Sequence, residues 1–179
     1  MLSATINPRQ CKQCGSEFTP RLPLAYICSP VCAGRYVKAQ KAKDKAQTKE
    51  RKEAIKTNGQ KKAEAQAALN RWIVHVRDAG EPCISCGRHH EGIYHAGHYR
   101  SRGSAPHLAL DPRNLHKQCA PCNLYLHGNL IEYRNGLIRR YGPEFVEALE
   151  SDQGQRHYTG SDYDAMKAEY RAKTRKGNR

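Results

Sequence analysis

Large apolar side chains are scarce in this sequence. Two Phe, one Trp and two Met stand among 179 residues, and only 38% of the chain is hydrophobic. No stretch approaches the roughly 20 consecutive apolar residues of a membrane span, and Met1 to Gln10 holds no apolar signal region. Neither a membrane anchor nor secretion is therefore expected. Acidic residues are few as well: 17 Asp and Glu face 31 Lys and Arg, a formal charge of +14. Such an excess points to a polyanionic partner. An anionic membrane would call for a basic amphipathic helix with large apolar anchors, but the basic stretch here offers mostly Ala. Nucleic acid is the expected partner, and a membrane is not.

A core this thin needs staples, and eight Cys are available. The reducing cytoplasm expected of a chain with no secretory signal favours metal ligation over four disulfides. The Cys fall into two groups of four. Cys11 and Cys14 form a knuckle with Gly15 just after it, and Cys28 and Cys32 follow, with Ser29-Pro30 placed to start a helix. Phe18, Leu22, Leu24 and Tyr26 are expected to cluster around this first metal. Cys83 with Cys86, and Cys119 with Cys122, form the second group, each pair aimed by a tight turn at one edge of a tetrahedral zinc site. Two structural zinc ions are expected.

Between the groups, residues 33–62 are rich in Ala, Lys, Gln, Glu and Arg and read as a basic helix without a usable apolar stripe. Lys41, Lys43 and Lys45 lie either on a solvated spacer or on an arm along phosphates. Asn58-Gly59 marks a break. Ala65, Ala68, Leu69, Trp72, Ile73 and Val76 then share a face that should pack on the following domain. Trp72 is read as a core anchor, with base stacking as its alternative. Tyr94, Tyr99 and Tyr125 are read as core residues before base wedges. After Asn129 one helix runs to Tyr141, Gly142-Pro143 breaks it, a short helix follows to Glu150, and Ser161 to Asp164 opens a last helix as a capping box.

The stretch Cys83 to Asn129 carries a resemblance. His95-Ala-Gly-His98-Tyr99, then Asn114-Leu115, then Cys119-Ala-Pro-Cys122-Asn123 and His127-Gly-Asn129 resemble the HNH, or ββα-metal, nucleases. The chain is more closely similar to the phage NinG (Rap) recombination protein family. The resemblance implies a small zinc-stabilised α+β protein: an N-terminal four-cysteine zinc finger (1–34), a basic helical arm (35–80), an HNH-like ββα-metal domain (81–150), and a C-terminal helix with a basic tail (151–179). It implies a metal-dependent endodeoxyribonuclease acting on branched DNA such as Holliday junctions, in the cytoplasm of a phage-infected bacterium. A homodimer and phage or host recombination proteins are the further partners it suggests.

By the same resemblance His98 is the general base, since a neutral imidazole takes a proton from water at physiological pH. Asn114 ties the loop to the His98 strand. Asn123 is the ligand of a catalytic magnesium or manganese ion. The family often has Asp or His just before the base, where this chain has Gly97. His95, His127 or water is left to complete the ion's shell, with His95 preferred. Arg100, Arg102, Arg113 and Lys117 are the expected phosphate contacts near the site. Two other functions stay open: a catalytically inactive zinc-dependent DNA-binding accessory protein, and a zinc adaptor for recombination proteins.

Overall fold

The computed structural model describes residues 7–177, which fall into two compact units divided between Lys56 and Thr57. Among the described residues no helix is long and apolar enough to cross a membrane.

The first unit is held by sulfur rather than by apolar burial. Strands β1 (Arg9–Gln10) and β2 (Glu17–Phe18) pair antiparallel, Arg9 opposite Phe18. The turn between them brings Cys11 and Cys14 together, with Gly15 at φ 75°, a left-handed value that favours glycine. Helix α1 (Pro30–Ala54) starts where Ser29 Oγ accepts the Cys32 N–H at 3.3 Å and Pro30 needs no amide partner. Cys32 thereby reaches Cys11, Cys14 and Cys28, all four sulfurs lying within 4.8 Å of one another. The expected apolar cluster does not form: Leu22 and Leu24 are 68% and 88% exposed, and Tyr26 stacks edge-on against Tyr36. Two-residue strands offer no surface to bury them against. Cys32 is the one buried residue of α1, as its Lys- and Ala-rich sequence implies.

The expected break falls slightly earlier than Asn58-Gly59. Thr57 and Gln60 make a reciprocal capping box, so Asn58 and Gly59 become the first residues of α2 (Asn58–Trp72). Ala65, Ala68, Leu69, Trp72 and Ile73 pack on the following domain as their shared face implies, so the second unit begins at Thr57 and not after a basic arm ending at residue 80. Helix α2 packs on the last helix, α5 (Gly160–Gly177), through Ala65, Ala68 and Leu69 against Tyr163 and Tyr170. Trp72 stacks on Tyr170 at 5.2 Å, a core anchor as expected. Ion pairs Lys61–Asp164 (2.7 Å) and Lys167–Glu64 (3.1 Å) flank the seam. The cap of α5 also lies earlier than expected: Thr159 Oγ1 accepts the Asp162 N–H, and Asp162 accepts the Thr159 N–H at 2.7 Å.

At the centre is an antiparallel hairpin of β3 (Tyr94–His98) and β4 (Leu115–Cys119), with His95 opposite Gln118 and Gly97 opposite His116. Its two faces serve two cores. Ala96 and Leu115 join the α2–α5 cluster. On the other face His116 meets Tyr133 of α3 (Leu130–Tyr141), whose partner is α4 (Pro143–Ser151). Tyr133, Leu137, Val146 and Leu149 complete the second cluster with Ile84, Tyr99 and Leu108. Between the cores, buried Asp78 accepts two hydrogen bonds from Arg77 (both 2.8 Å) and one from the Lys117 amide (3.0 Å), pinning the end of a π-helical turn (Ile73–Arg77) to β4.

The second sulfur group closes one end of the hairpin. Cys83 and Cys86 lie on a turn before β3, Cys119 ends β4, and Cys122 lies in the π-helical turn Pro121–Tyr125, all four within 4.8 Å of one another. Metal analysis should find two zinc ions per chain. Cys83→Ser or Cys119→Ser should remove one ion and unfold the second unit, because structural zinc contributes about 10–16 kcal/mol while a whole domain is stable by about 5–15. Folded, zinc-free protein from reducing conditions would contradict this assignment.

Helix α3 approaches the first Cys turn so closely that a Cβ on Gly136 would lie 1.8 Å from the Ile84 carbonyl oxygen. Gly136→Ala should therefore destabilise the second unit by about 3 kcal/mol, read as a lowered melting temperature. An unchanged melt would mean that the helix is not seated there.

Candidate active site

A cleft of about 340 Å³ lies between α2 and β3, lined by Gln66, Asn70 and Arg71 from α2 and by His95, His98, Arg102 and Asn123. His98 ends β3, and its Nε2 lies 3.0 Å from the Ala109 carbonyl oxygen. A carbonyl can only accept, so the proton is on Nε2 and Nδ1 keeps its lone pair. Burial lowers the His98 pKa below the ordinary 6.5; the Ala109 carbonyl works against this, and the nearby Arg102 charge adds to the fall. The ring is neutral at physiological pH.

Asn114 holds the loop that carries the Ala109 carbonyl. It is fully buried; Nδ2 donates to the carbonyls of Arg100 (2.9 Å) and Leu108 (3.2 Å), and Oδ1 accepts the Arg100 N–H at 2.8 Å. The Asn114 carbonyl also accepts the Tyr99 N–H at 2.9 Å. One side chain thus fastens both ends of the segment between His98 and β4.

Asn123 is in the turn Pro121–Tyr125 and lines the same cleft as His98 and His95. His95 shares the hairpin face of Gly97. His127 does not join them. The helical turn ends at Tyr125, and His127 has φ 48° and is exposed, so its spacing of four from Asn123 is not a helical spacing. Sequence reasoning missed Gln118: fully buried on β4, its side chain lies directly over Gly97. Its place beside Gly97 depends on strand register, which the sequence alone does not fix.

The expected phosphate contacts divide. Arg102 is exposed and lines the cleft. Arg100 is instead bound to the carbonyls of Leu149, Glu150 and Asp152 (3.2, 3.2 and 2.7 Å). Lys117 is buried, its Nζ donating to the Ala79 carbonyl at 2.8 Å above the Tyr94 ring. Arg113 pairs with Asp111 at 2.7 Å and with Asp152 at 3.3 Å. These three hold the frame rather than the cleft surface. Arg71 and Asn70, from the helix expected to be an arm, take their place along the wall; a polar i, i+4 row at Gln66 and Asn70 beside the apolar face was the available signal. Lys41, Lys43 and Lys45 are exposed on α1. Tyr99 is buried as expected, while Tyr125 is 76% exposed because the short helical turn ends at that residue.

Among solved structures none matches this chain. The family model described as "Bacteriophage Lambda NinG protein" matches residues 3–179. The protein ninG of Salmonella phage P22 and that of Escherichia phage lambda are each 37% identical over 186 aligned positions, covering 92% of this chain and 91% of the relative. The protein ninG of Escherichia phage 933W is 36% identical over 184 positions, with the same coverage. A match that runs through both sulfur groups, the hairpin and the last helix places the whole chain in one family: it belongs to the NinG family of bacteriophage proteins.

Proposed function

We propose that this protein is a divalent-metal-dependent DNA endonuclease of the ββα-metal type, acting on branched DNA during phage recombination. The observation that carries the reading is the His98 ring, neutral and with its proton fixed on Nε2 by the Ala109 carbonyl, lining the same basic cleft as Asn123. The order of hairpin, then helical turn bearing Asn123, is what a ββα-metal site requires. The preference for branched DNA rests on the likeness to the NinG (Rap) recombination proteins.

Phosphodiester hydrolysis needs a base for the attacking water and positive charge near the phosphoryl oxygens. His98 Nδ1 takes the proton from water, and the Ala109 carbonyl stabilises the imidazolium so formed. Asn114 keeps that carbonyl in place by fastening the loop. Arg102 and Arg71 hold the phosphate in the cleft. The donors present suit a magnesium or manganese ion: Asn123 offers an amide oxygen, and a buried Gln118 oxygen with no hydrogen-bond donor lies beside it. Such an ion, when bound, would supply charge to the phosphate and the leaving oxygen. Lys41, Lys43 and Lys45 add sequence-independent phosphate binding from α1. A second reading, an accessory protein that binds DNA without cutting it, takes its support from Gly97, which has no side chain to ligate metal.

Labelled four-way junction and matched duplex, incubated with magnesium or manganese, separate these readings. Wild type should cut the junction. His98→Ala should cut at least about 100-fold more slowly while binding the junction and keeping two zinc ions. Because His98 works only when neutral and its pKa is lowered from 6.5, cleavage should persist as pH falls through that value and fail only below it. Full activity in His98→Ala would overturn the assignment, and a wild type that binds without cutting in either metal would favour the accessory reading.

A further inference from the structure

Gly97 lies under an oxygen that has no hydrogen-bond donor. Strand register puts Gly97 on the hairpin face that also carries Gln118. Gln118 is fully buried, and its Nε2 donates to Ser85 Oγ at 2.7 Å and to the Gly128 carbonyl at 2.5 Å. The Gly128 oxygen can only accept, so this contact fixes which end of the amide is nitrogen. Oε1 is left over Gly97, buried, with no donor among the described residues. A Cβ on Gly97 would lie 2.1 Å from Gln118 Oε1 and 3.2 Å from Asn123 Oδ1. Two amide oxygens, one from the strand and one from the helical turn, therefore converge on the volume that a side chain at 97 would fill.

We propose that Gln118 is a ligand of the divalent cation, acting with Asn123, and that it supplies from the neighbouring strand the donor that Gly97 lacks. This inference rests on the reading of the cleft as a divalent-metal site. A hard cation accepts neutral amide oxygens and lets water complete its shell. The glycine is then a requirement rather than a loss, because any side chain there would drive Oε1 away. His95, two residues back along β3, is displaced by about 6–7 Å and reaches the ion only through water. Gln118, not His95, is the closer substitute.

Manganese binding to the zinc-loaded full chain, followed by electron paramagnetic resonance, reads this out without catalysis. Wild type should bind one manganese ion. Gln118→Ala should weaken binding at least about tenfold with both zinc ions retained, the loss expected for one ligand of a hard cation. Gly97→Ala should do the same with Gln118 still present, because its methyl group displaces Oε1. The double variant Gly97→Asp/Gln118→Ala, with a carboxylate in the vacated space, should recover wild-type affinity or better. Gly97→Ala carries the test if Gln118→Ala loses zinc. Wild-type affinity in both Gln118→Ala and Gly97→Ala would overturn the inference and leave Gln118 as an acceptor for water or for a turned Asn123 amide. The nuclease reading would survive that result provided Asn123→Ala lost manganese and wild type cut the junction. Absence of manganese binding by wild type would overturn the inference outright, and junction cleavage would then judge the nuclease reading separately.

Discussion

Four sulfur atoms at one end of a five-residue hairpin set the positions on which everything else depends. Cys83, Cys86, Cys119 and Cys122 lie within 4.8 Å of one another and join a turn, both strands' shared end and the helical turn that follows. So small a sheet is marginal by itself, and the two apolar clusters on its faces hold only eight buried residues each. Crowded thiols do not settle into one protonation pattern. Burial pushes the Cys119 thiol up, while Cys86, also opposed by burial, is brought down to about 6 mainly by its contact with His90 at 3.1 Å. A divalent ion such as zinc would resolve the conflict by taking all four as thiolates, and metal binding and folding would then be one event.

The cleft follows from that clamp. With Cys119 and Cys122 fixed, the turn Pro121–Tyr125 has one place to go, and it carries Asn123 to the hairpin face over Gly97. At the far end of the hairpin no sulfur holds the chain, and Asn114 takes over with three side-chain hydrogen bonds across the loop. The Ala109 carbonyl within that loop then sets the His98 proton. Helix α2 closes the other wall, held by α5 and by the Trp72–Tyr170 stack. The four-sulfur group, the polar clasp and the helix pair each position part of the same small space.

Much of this was legible in the sequence because it depends on short spacings. The Cys pairs, the helices after Asn129 and Trp72 as an anchor follow from local pattern, and the fastening role of Asn114 from the family resemblance. What was not legible depends on contacts between distant residues. The α2–α5 pairing joins Lys61 to Asp164, so α2 belongs with the site and not with the basic α1 before it. Arg100, Arg113 and Lys117 look like phosphate contacts by charge alone, yet each finds a carbonyl or carboxylate within the fold. Gln118 over Gly97 is a matter of register, and a shift of one residue would turn it to the opposite face. His127 misled because a spacing of four has meaning only while the helix continues, and here it has ended.

The chemical claim comes down to which His98 nitrogen carries the proton. The 15N resonances of the His98 ring, measured on zinc-loaded protein through a pH titration and assigned with His98→Gln, report it directly. The account predicts a neutral ring at pH 7 with the proton on Nε2 and a bare Nδ1, titrating below the ordinary imidazole value of 6.5. A proton on Nδ1 at neutral pH, or an imidazolium that persists above that value, would contradict it.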